Sequence, residues 1–394
     1  MVVGAGPAGL SASRQLLESG VEHVVLERHD VAETWRRQRW DSFTLNTPDS
    51  MNDGLRPEND LGLTCPRDEV IRLLALHAES LPIRTHTPVL SVTRQPHGFL
   101  VSTPDADLTT RTLILASGMR NVPRTPTQAA RLTARVRQLH TADYRSPHQL
   151  VDGAVLVVGG GQSGCQIAED LALAGRTVYL STSRVGRIPW LYRGRELLTW
   201  LVECGYWDQS PGDLPRRDDT ELAPALVAGG RSLDLPILAG LGVRLLGRFI
   251  SADGELVSFD ASAADNAAYG DSVATQITRM VDDYIEQRSI DAPEPVPDTR
   301  TRGPLPRNDA ASLNLRSAGV TTVIWSTGFT GDLSWVHLPL MGSQGRPQHD
   351  GCAASPGVWY VGFPWLTRRS SGIFHGFARD ARTAVDGVVH DLES

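Results

Sequence analysis

The chain has 394 residues, 41% hydrophobic and 21% charged, with a net charge of −7. That is ordinary globular composition, enough for two or three domains, and the acidic balance excludes nucleic acid as the main partner. With no eighteen-residue apolar run, basic leader or cleavage pattern, neither a membrane span nor a signal peptide is expected.

Four cysteines, Cys65, Cys165, Cys204 and Cys352, stand far apart with no C-x-x-C pair. The spacing points to a reducing, cytoplasmic setting and to neither a zinc cluster nor a redox dithiol, so no metal site is expected. All 38 cationic side chains are arginines. The absence of lysine excludes Schiff-base chemistry and a P-loop lysine. Arginine-favouring codon usage accounts for it more simply than function does.

The chain opens on a short apolar strand, Met1-Val2-Val3, and then Gly4, Gly6 and Gly9 in G-x-G-x-x-G spacing, with Ala8 between the last two. In such a loop the first glycine makes the tight turn and the second admits a pyrophosphate. The third lets the following helix pack closely, and the helix N-terminus offers free N–H groups to the phosphates. A helix with Leu10, Leu16 and Leu17 at apolar positions follows, and then a strand, HVVLE, ending at Glu27 with Arg28 after it. Glu27 lies eighteen residues past Gly9, where an acid accepts from ribose hydroxyls. This loop suits a dinucleotide with a free 2′-hydroxyl, FAD or NAD. Short β-like runs then fill 82–118.

Near Asp152-Gly153 the order of strand, glycine loop, helix and strand repeats. Gly159, Gly161 and Gly164 carry the spacing, with Gln162 and Ser163 inside it, and the second strand ends in TVYLS. Eighteen residues past Gly164 stands Thr182, not an acid, followed by Ser183, Arg184 and Arg187. A carboxylate there would repel a 2′-phosphate and guanidinium groups would pair with one, so this loop suits NADPH. Two nucleotide units with different ribose chemistry imply hydride transfer from NADPH to a flavin.

Beyond 205 the pattern loosens. A hairpin is expected to turn at Asp253-Gly254, an amphipathic helix to cover 272–290, and a proline-rich loop to follow. Aromatic residues Trp190, Tyr192, Trp200, Tyr206 and Trp207 are read as core first and cavity lining second. TTVIWSTGF and GVWYVGF return to strand-like runs. The expected fold class is α/β with two Rossmann-like dinucleotide-binding units. FAD-domain residues 1–150 would be completed by 321–394. Between them would lie an NADPH domain at 151–320, with a helical and hairpin insertion at about 205–310.

The chain resembles the flavin-containing monooxygenases. The likeness rests on VVGAGPAG and VVGGGQSG together, on ETWRRQRWDSFTLNTP, on LHTADY, and on ILASG and IWSTGF. It implies that Trp35, Arg36, Asn46 and Thr47 lie beside the flavin, with Asn46 and Thr47 as catalytic residues. The amide of Asn46 would face the edge where oxygen adds to give a C4a-(hydro)peroxyflavin, and would hydrogen-bond without supplying a proton. It also implies that Ala116, Ser117, Gly118, Thr327 and Gly328 lie close to the cofactors at chain crossings. Ser371, Gly372 and Ile373 would lead into a last helix whose N-terminus points at the flavin. The family fingerprint F-x-G-x-x-x-H ends here on His140 and Tyr144, while Ala134 and Val136 replace its phenylalanine and glycine. Tyr144-Arg145 also replaces the Trp-Pro usual in Baeyer–Villiger enzymes. The expected activity is therefore NADPH-dependent, FAD-mediated oxygenation of a small organic substrate at nitrogen or sulfur. Carbonyl oxygenation and a flavoprotein reductase or electron carrier without oxygenation are the alternatives. The expected partners are a small molecule and O2, with neither nucleic acid nor membrane, and a homodimer is the assembly considered.

Overall fold

The computed structural model describes residues 1–52, 64–213, 226–305, 309, 311–342 and 346–394. Two parallel sheets dominate. In the first, the strand order is Ala353–Ser355, Val358–Tyr360, Leu113–Leu115, Val2–Val3, Val25–Leu26, Ile83–Arg84. All its pairings are parallel except the outermost, between Ala353–Ser355 and Val358–Tyr360. The second runs Arg244–Leu246, Val178–Ser181, Ala154–Val158, Val320–Trp325, Arg137–His140, parallel throughout. Each glycine loop sits on a strand at the middle of its sheet, and a twelve-residue helix follows it: Pro7–Glu18 in the first unit, Gln162–Leu173 in the second.

Ala154–Val158 is buried at every position. That is the pattern of a parallel strand covered on both faces, and it explains why AVLVV shows no alternation. The first sheet is completed from the far end of the chain: Val358–Tyr360 pairs with Leu113–Leu115, and the last helix, Phe374–Glu393, packs along Pro7–Glu18. Two segments that the sequence groups with the first unit, 137–140 and 321–325, lie in strands of the second sheet. Hydrogen-bonded register decides this. Arg137–His140 pairs residue by residue with Thr322–Trp325, a non-local pairing that local composition does not encode.

Smaller elements depart from expectation in detail. The hairpin is present, Phe249–Asp253 against Leu256–Phe259, with Gly254 at φ 56 in its turn. The helix expected over 272–290 starts earlier and spans Ala263–Arg288. Its first turns, AADNAAYG, are small and polar residues that carry little apolar periodicity. Leu17, read as an inward position, is half exposed, while Leu10 and Leu16 are buried. Among the described residues, no helix is long and apolar enough to cross a membrane.

Candidate functional site

A cavity of about 900 Å³ opens between the two units. Its first part is walled by the opening glycine loop. Gly4, Gly6, Ala8, Glu27, Arg28, Trp35, Asn46, Thr47, Ala116, Ser117, Gly118, Ser371, Gly372 and Ile373 all line it. The structure thus gathers onto one surface residues that the sequence spreads from position 4 to position 373. Two of the expected flavin residues stand aside. Gly9 is a packing residue: a Cβ there would lie 1.9 Å from the carbonyl oxygen of Gly4. Arg36 is exposed, and its Nε donates to the Val31 carbonyl at 3.0 Å, outside the cavity wall. Gln38 and Arg39 line the cavity instead.

The opening loop has the shape a pyrophosphate needs. A Cβ added at Gly6 meets nothing within 4 Å, whereas one at Gly4 (φ +107) would strike the Ala116 carbonyl at 2.6 Å. The helix that begins at Pro7 has no side-chain cap and no acid in its first turn, so its leading N–H groups are left for a phosphate. Glu27 follows the strand Val25–Leu26. Its two carboxylate oxygens accept the N–H groups of Ala5 at 2.7 Å and His29 at 2.9 Å. Those bonds fix the acid beside the loop, and each oxygen keeps a lone pair for a ribose hydroxyl.

Further along the wall are polar atoms buried without protein partners: Gln38 Oε1, Ser117 Oγ and Asn121 Oδ1. Their side chains are held from the other end. Gln38 Nε2 donates to the Asn121 carbonyl at 2.8 Å, and Asn121 Nδ2 donates to the Ser117 carbonyl at 2.6 Å. Two amide acceptors and a hydroxyl held in this way suit a ligand that presents N–H and O–H groups, as a flavin dinucleotide does. Burying them unpaired would cost roughly 1–3 kcal/mol each. Trp35 packs edge-on to Phe43 and against Phe374, the first residue of the last helix. That helix also lacks a side-chain cap at Ile373. Ser371 Oγ accepts the N–H groups of Thr367 and Arg368 and donates to Asp380 Oδ1, so its hydroxyl braces the loop before the helix.

Asn46 touches both units. Its Oδ1 accepts from Gln166 Nε2 at 2.8 Å, and Gln166 stands on the helix of the second glycine loop. With its oxygen committed, the Asn46 amide has N–H groups left for the cavity it lines. Thr47 is committed elsewhere, its hydroxyl donating to Asn52 Oδ1 at 2.7 Å. The segment around them docks on the same helix. Trp40 and Phe43 pack into the second unit's core, and Asp170 accepts from both Ser42 and Tyr144.

The second loop follows the same steric rule. Gly159 has φ +118, a Cβ on Gly164 would lie 1.9 Å from the Gly159 carbonyl, and one on Gly161 meets nothing within 4 Å. Its helix also lacks a cap and a first-turn acid. Of this loop only Gln162 reaches the cavity wall, and it is bound at both ends of its amide to the backbone of Val227. Ser163 and Ser183 are half-buried beside the loop. Thr182, at the place matching Glu27, is buried and bonded to the Leu246 carbonyl and to Asn266. The two arginines part company. Arg184 is exposed, its guanidinium 5.4 Å from the ring centre of Tyr269. Arg187 is tied to Asp271 at 2.6 Å and lies 3.6 Å from Asp234. Thr327 donates to the Arg124 carbonyl, and the Gly328 carbonyl accepts from His140 Nε2 at 3.0 Å.

The comparisons with known proteins agree with this geometry. A family model described as pyridine nucleotide-disulphide oxidoreductase matches residues 1–190. An "uncharacterized oxidoreductase CzcO" of Bacillus velezensis is 27% identical over 98% of this chain and 97% of its own. An indole-3-pyruvate monooxygenase, YUCCA1 of Oryza sativa subsp. japonica, is 30% identical over 44% of this chain and 45% of its own. A flavin-containing monooxygenase from Stenotrophomonas maltophilia shares the fold, with a TM-score of 0.59 at 21% identity, covering 99% of this chain and 97% of that one. The chain is thus similar to flavin-containing monooxygenases in sequence over about half its length and in fold throughout. It is a flavoprotein oxidoreductase of two dinucleotide-binding units.

Several residues of this flavoprotein's cavity escaped the sequence reading. Gln38, Arg39, Asn121 and Arg369 line the wall, and Gln166 holds Asn46 from behind. Arg39 lies against the rings of Trp35 and Phe43, 5.4 and 5.5 Å from their centres, and burial pulls its guanidinium down to about 10. It remains a cation at neutral pH. No spacing rule marks these positions; only Gln38 and Arg39 lie in a stretch, WRRQRW, whose mix of arginine and aromatic residues sets it apart.

Proposed function

We propose that this flavoprotein uses NADPH to reduce bound FAD and then oxygenates a small organic substrate, at nitrogen or sulfur in preference to a carbonyl. The observation that carries the reading is Asn46. It lines the flavin cavity from the first unit and is held by Gln166 on the nucleotide helix of the second. When bound, FAD supplies hydride acceptance and oxygen activation. The protein positions and shields. Gly6 and the first helix turn hold the pyrophosphate, and Glu27 the ribose. Gln38, Ser117 and Asn121 hold the polar edge of the ring system. With FAD bound, the Asn46 N–H groups would be the hydrogen-bond donors beside the ring, and they carry no acidic proton. Gly161, with the helix that follows it, and Arg184 hold NADPH.

The disulfide-reductase alternative needs a reactive thiol. Cys165, next to the second loop, is fully buried, donates to the Gly160 carbonyl, and burial raises its thiol far above the usual range. A thiol so placed is a poor nucleophile. The deciding experiment supplies the FAD-loaded protein with NADPH and ¹⁸O₂ and follows candidate amines and sulfides by mass spectrometry. Incorporation of one labelled atom, with NADPH consumed in step, is the expected result. NADPH consumption accounted for wholly by hydrogen peroxide would sink the reading.

A further inference from the structure

The same cavity extends past Asn46 into the second unit. There its wall becomes apolar: Ile188, Leu198 and Leu201 on one side, Val273 and Ile277 of the long helix on the other. Among the described residues, Arg369 is the charged group set against this apolar stretch. It comes from the loop before the last helix, and its guanidinium lies 4.2 Å from the ring centre of Tyr206 and 4.9 Å from that of Trp365. Its Nε donates to Gln209 Oε1 at 3.0 Å and Nη1 to the Tyr206 hydroxyl at 3.0 Å. No carboxylate among the described residues pairs with it.

The neighbours make the contrast plain. Arg368 and Arg379 both bond to Asp208, at 2.8 and 2.5 Å. So an acid is at hand, and the chain spends it on the two arginines either side of Arg369 in the loop and helix. Two rings and two neutral acceptors hold the Arg369 fork in place and leave Nη2 uncommitted. Burial lowers the guanidinium's pKa, opposed only by the Tyr206 hydroxyl and by no carboxylate. Close by, the indole N–H of Trp207, another wall residue, is buried with no acceptor. Trp365 itself is held at φ 58, a conformation that costs a bulky residue energy and gathers at functional sites. The loop is laced to this corner by backbone bonds from Arg369 to Gln209 and from Ser370 to Trp207.

A pre-set cation and an unpaired donor at the end of an apolar chamber form a receptor for an anion on an apolar body. We propose that the substrate is an organic acid with an apolar, aromatic-sized body, and that Arg369 anchors its carboxylate. This rests on reading the cavity as the chamber of flavin and substrate. Its test is binding, not turnover, so the two readings fail separately.

The FAD-loaded protein, without nicotinamide nucleotide, is titrated with 3-phenylpropanoate and with its neutral amide, 3-phenylpropanamide. Flavin absorbance and tryptophan fluorescence report binding. The acid is expected to bind at least about tenfold more tightly than the amide, the worth of one charge-assisted hydrogen bond. Arg369→Met should erase that preference, and Arg369→Lys should restore part of it, with flavin content showing that both variants fold. Equal binding of acid and amide to the unaltered protein overturns the proposal. So does an acid preference that survives in R369M, or binding of neither probe in the millimolar range.

Discussion

In the first unit a Cβ on Gly9 would lie 1.9 Å from the Gly4 carbonyl; in the second, a Cβ on Gly164 would lie 1.9 Å from that of Gly159. Gly6 and Gly161 are both open, and both helices start without a side-chain cap. The loops therefore pose the same question to a ligand. They differ in what stands beyond the next strand. Glu27 is bound by two backbone N–H groups beside its loop, whereas Thr182 is buried and turned into the fold, leaving exposed Arg184 as the next charge along the chain. On the proposed reading, phosphate binding is encoded in the backbone, and discrimination between nucleotides in one or two side chains after the strand.

The harshest way to break this symmetry is to fill one loop at a time. Gly9→Ala forces backbone apart, at a cost of about 1–3 kcal/mol or more. It should yield protein stripped of flavin, seen as loss of the visible absorbance. Gly164→Ala should keep the flavin and lose its reduction by NADPH. If both variants lose flavin equally, the two loops do not divide the cofactors between them.

Next in size is the bond that joins the units. Asn46→Ala removes the proposed donor at the flavin edge and should lower kcat by about 10²–10³. Gln166→Leu leaves Asn46 in place but unheld, so it should lower kcat less and leave the NADPH KM near its original value. Identical losses in KM and kcat for both would show that Asn46 acts only in holding the units together.

Arg184→Ala should raise the NADPH KM about tenfold with little change for NADH, since one charge-assisted contact to a 2′-phosphate is lost. Arg187→Ala should act differently. It strands part of the charge on Asp234, which is buried and also bound by Arg302 at 2.6 Å. Loss of thermal stability without a change in nucleotide preference is expected. A selective NADPH effect at Arg187 would restore it to the nucleotide site.

The smallest effect concerns His140. Its Nδ1 accepts the Ala142 N–H at 3.1 Å, so Nε2 carries the proton given to the Gly328 carbonyl. The ring is neutral, and burial holds its pKa below the ordinary 6.5. A depressed folded-state value means that the unfolded chain binds the proton more readily. The contribution is present above pH 6.5 and is lost as pH falls below it. Thermal melts across this window should flatten in His140→Asn; an unchanged profile would assign the acid sensitivity elsewhere.

Much of the site was legible because its code is local. Glycine spacing, the offset to Glu27 and the run ending in Asn46-Thr47 need only neighbouring residues, and the cavity wall contains them. Arg36 misled because Trp35-Arg36 reads as a pair, whereas neighbours on a helix point about 100° apart: Trp35 faces inward against Phe374 and Arg36 turns out to the Val31 carbonyl. Arg187 misled because its acids, Asp234 and Asp271, lie 47 and 84 residues downstream. Arg369 was invisible for the converse reason. Three arginines in RRSSGIFHGFAR look alike until the fold gives Asp208 to two of them.

The pairing of Val358–Tyr360 with Leu113–Leu115 also governs how the chain is made. Everything needed for the second sheet has been synthesised by Trp325, but the first sheet still presents an unpaired edge of three buried residues, Leu113–Leu115. An open apolar edge is a template for the wrong partner. The nascent protein must therefore carry a sticky half alongside a finished one until its last strand and helix arrive. Truncation anywhere before Val358 should leave that edge exposed, and aggregation rather than a smaller working enzyme is the consequence.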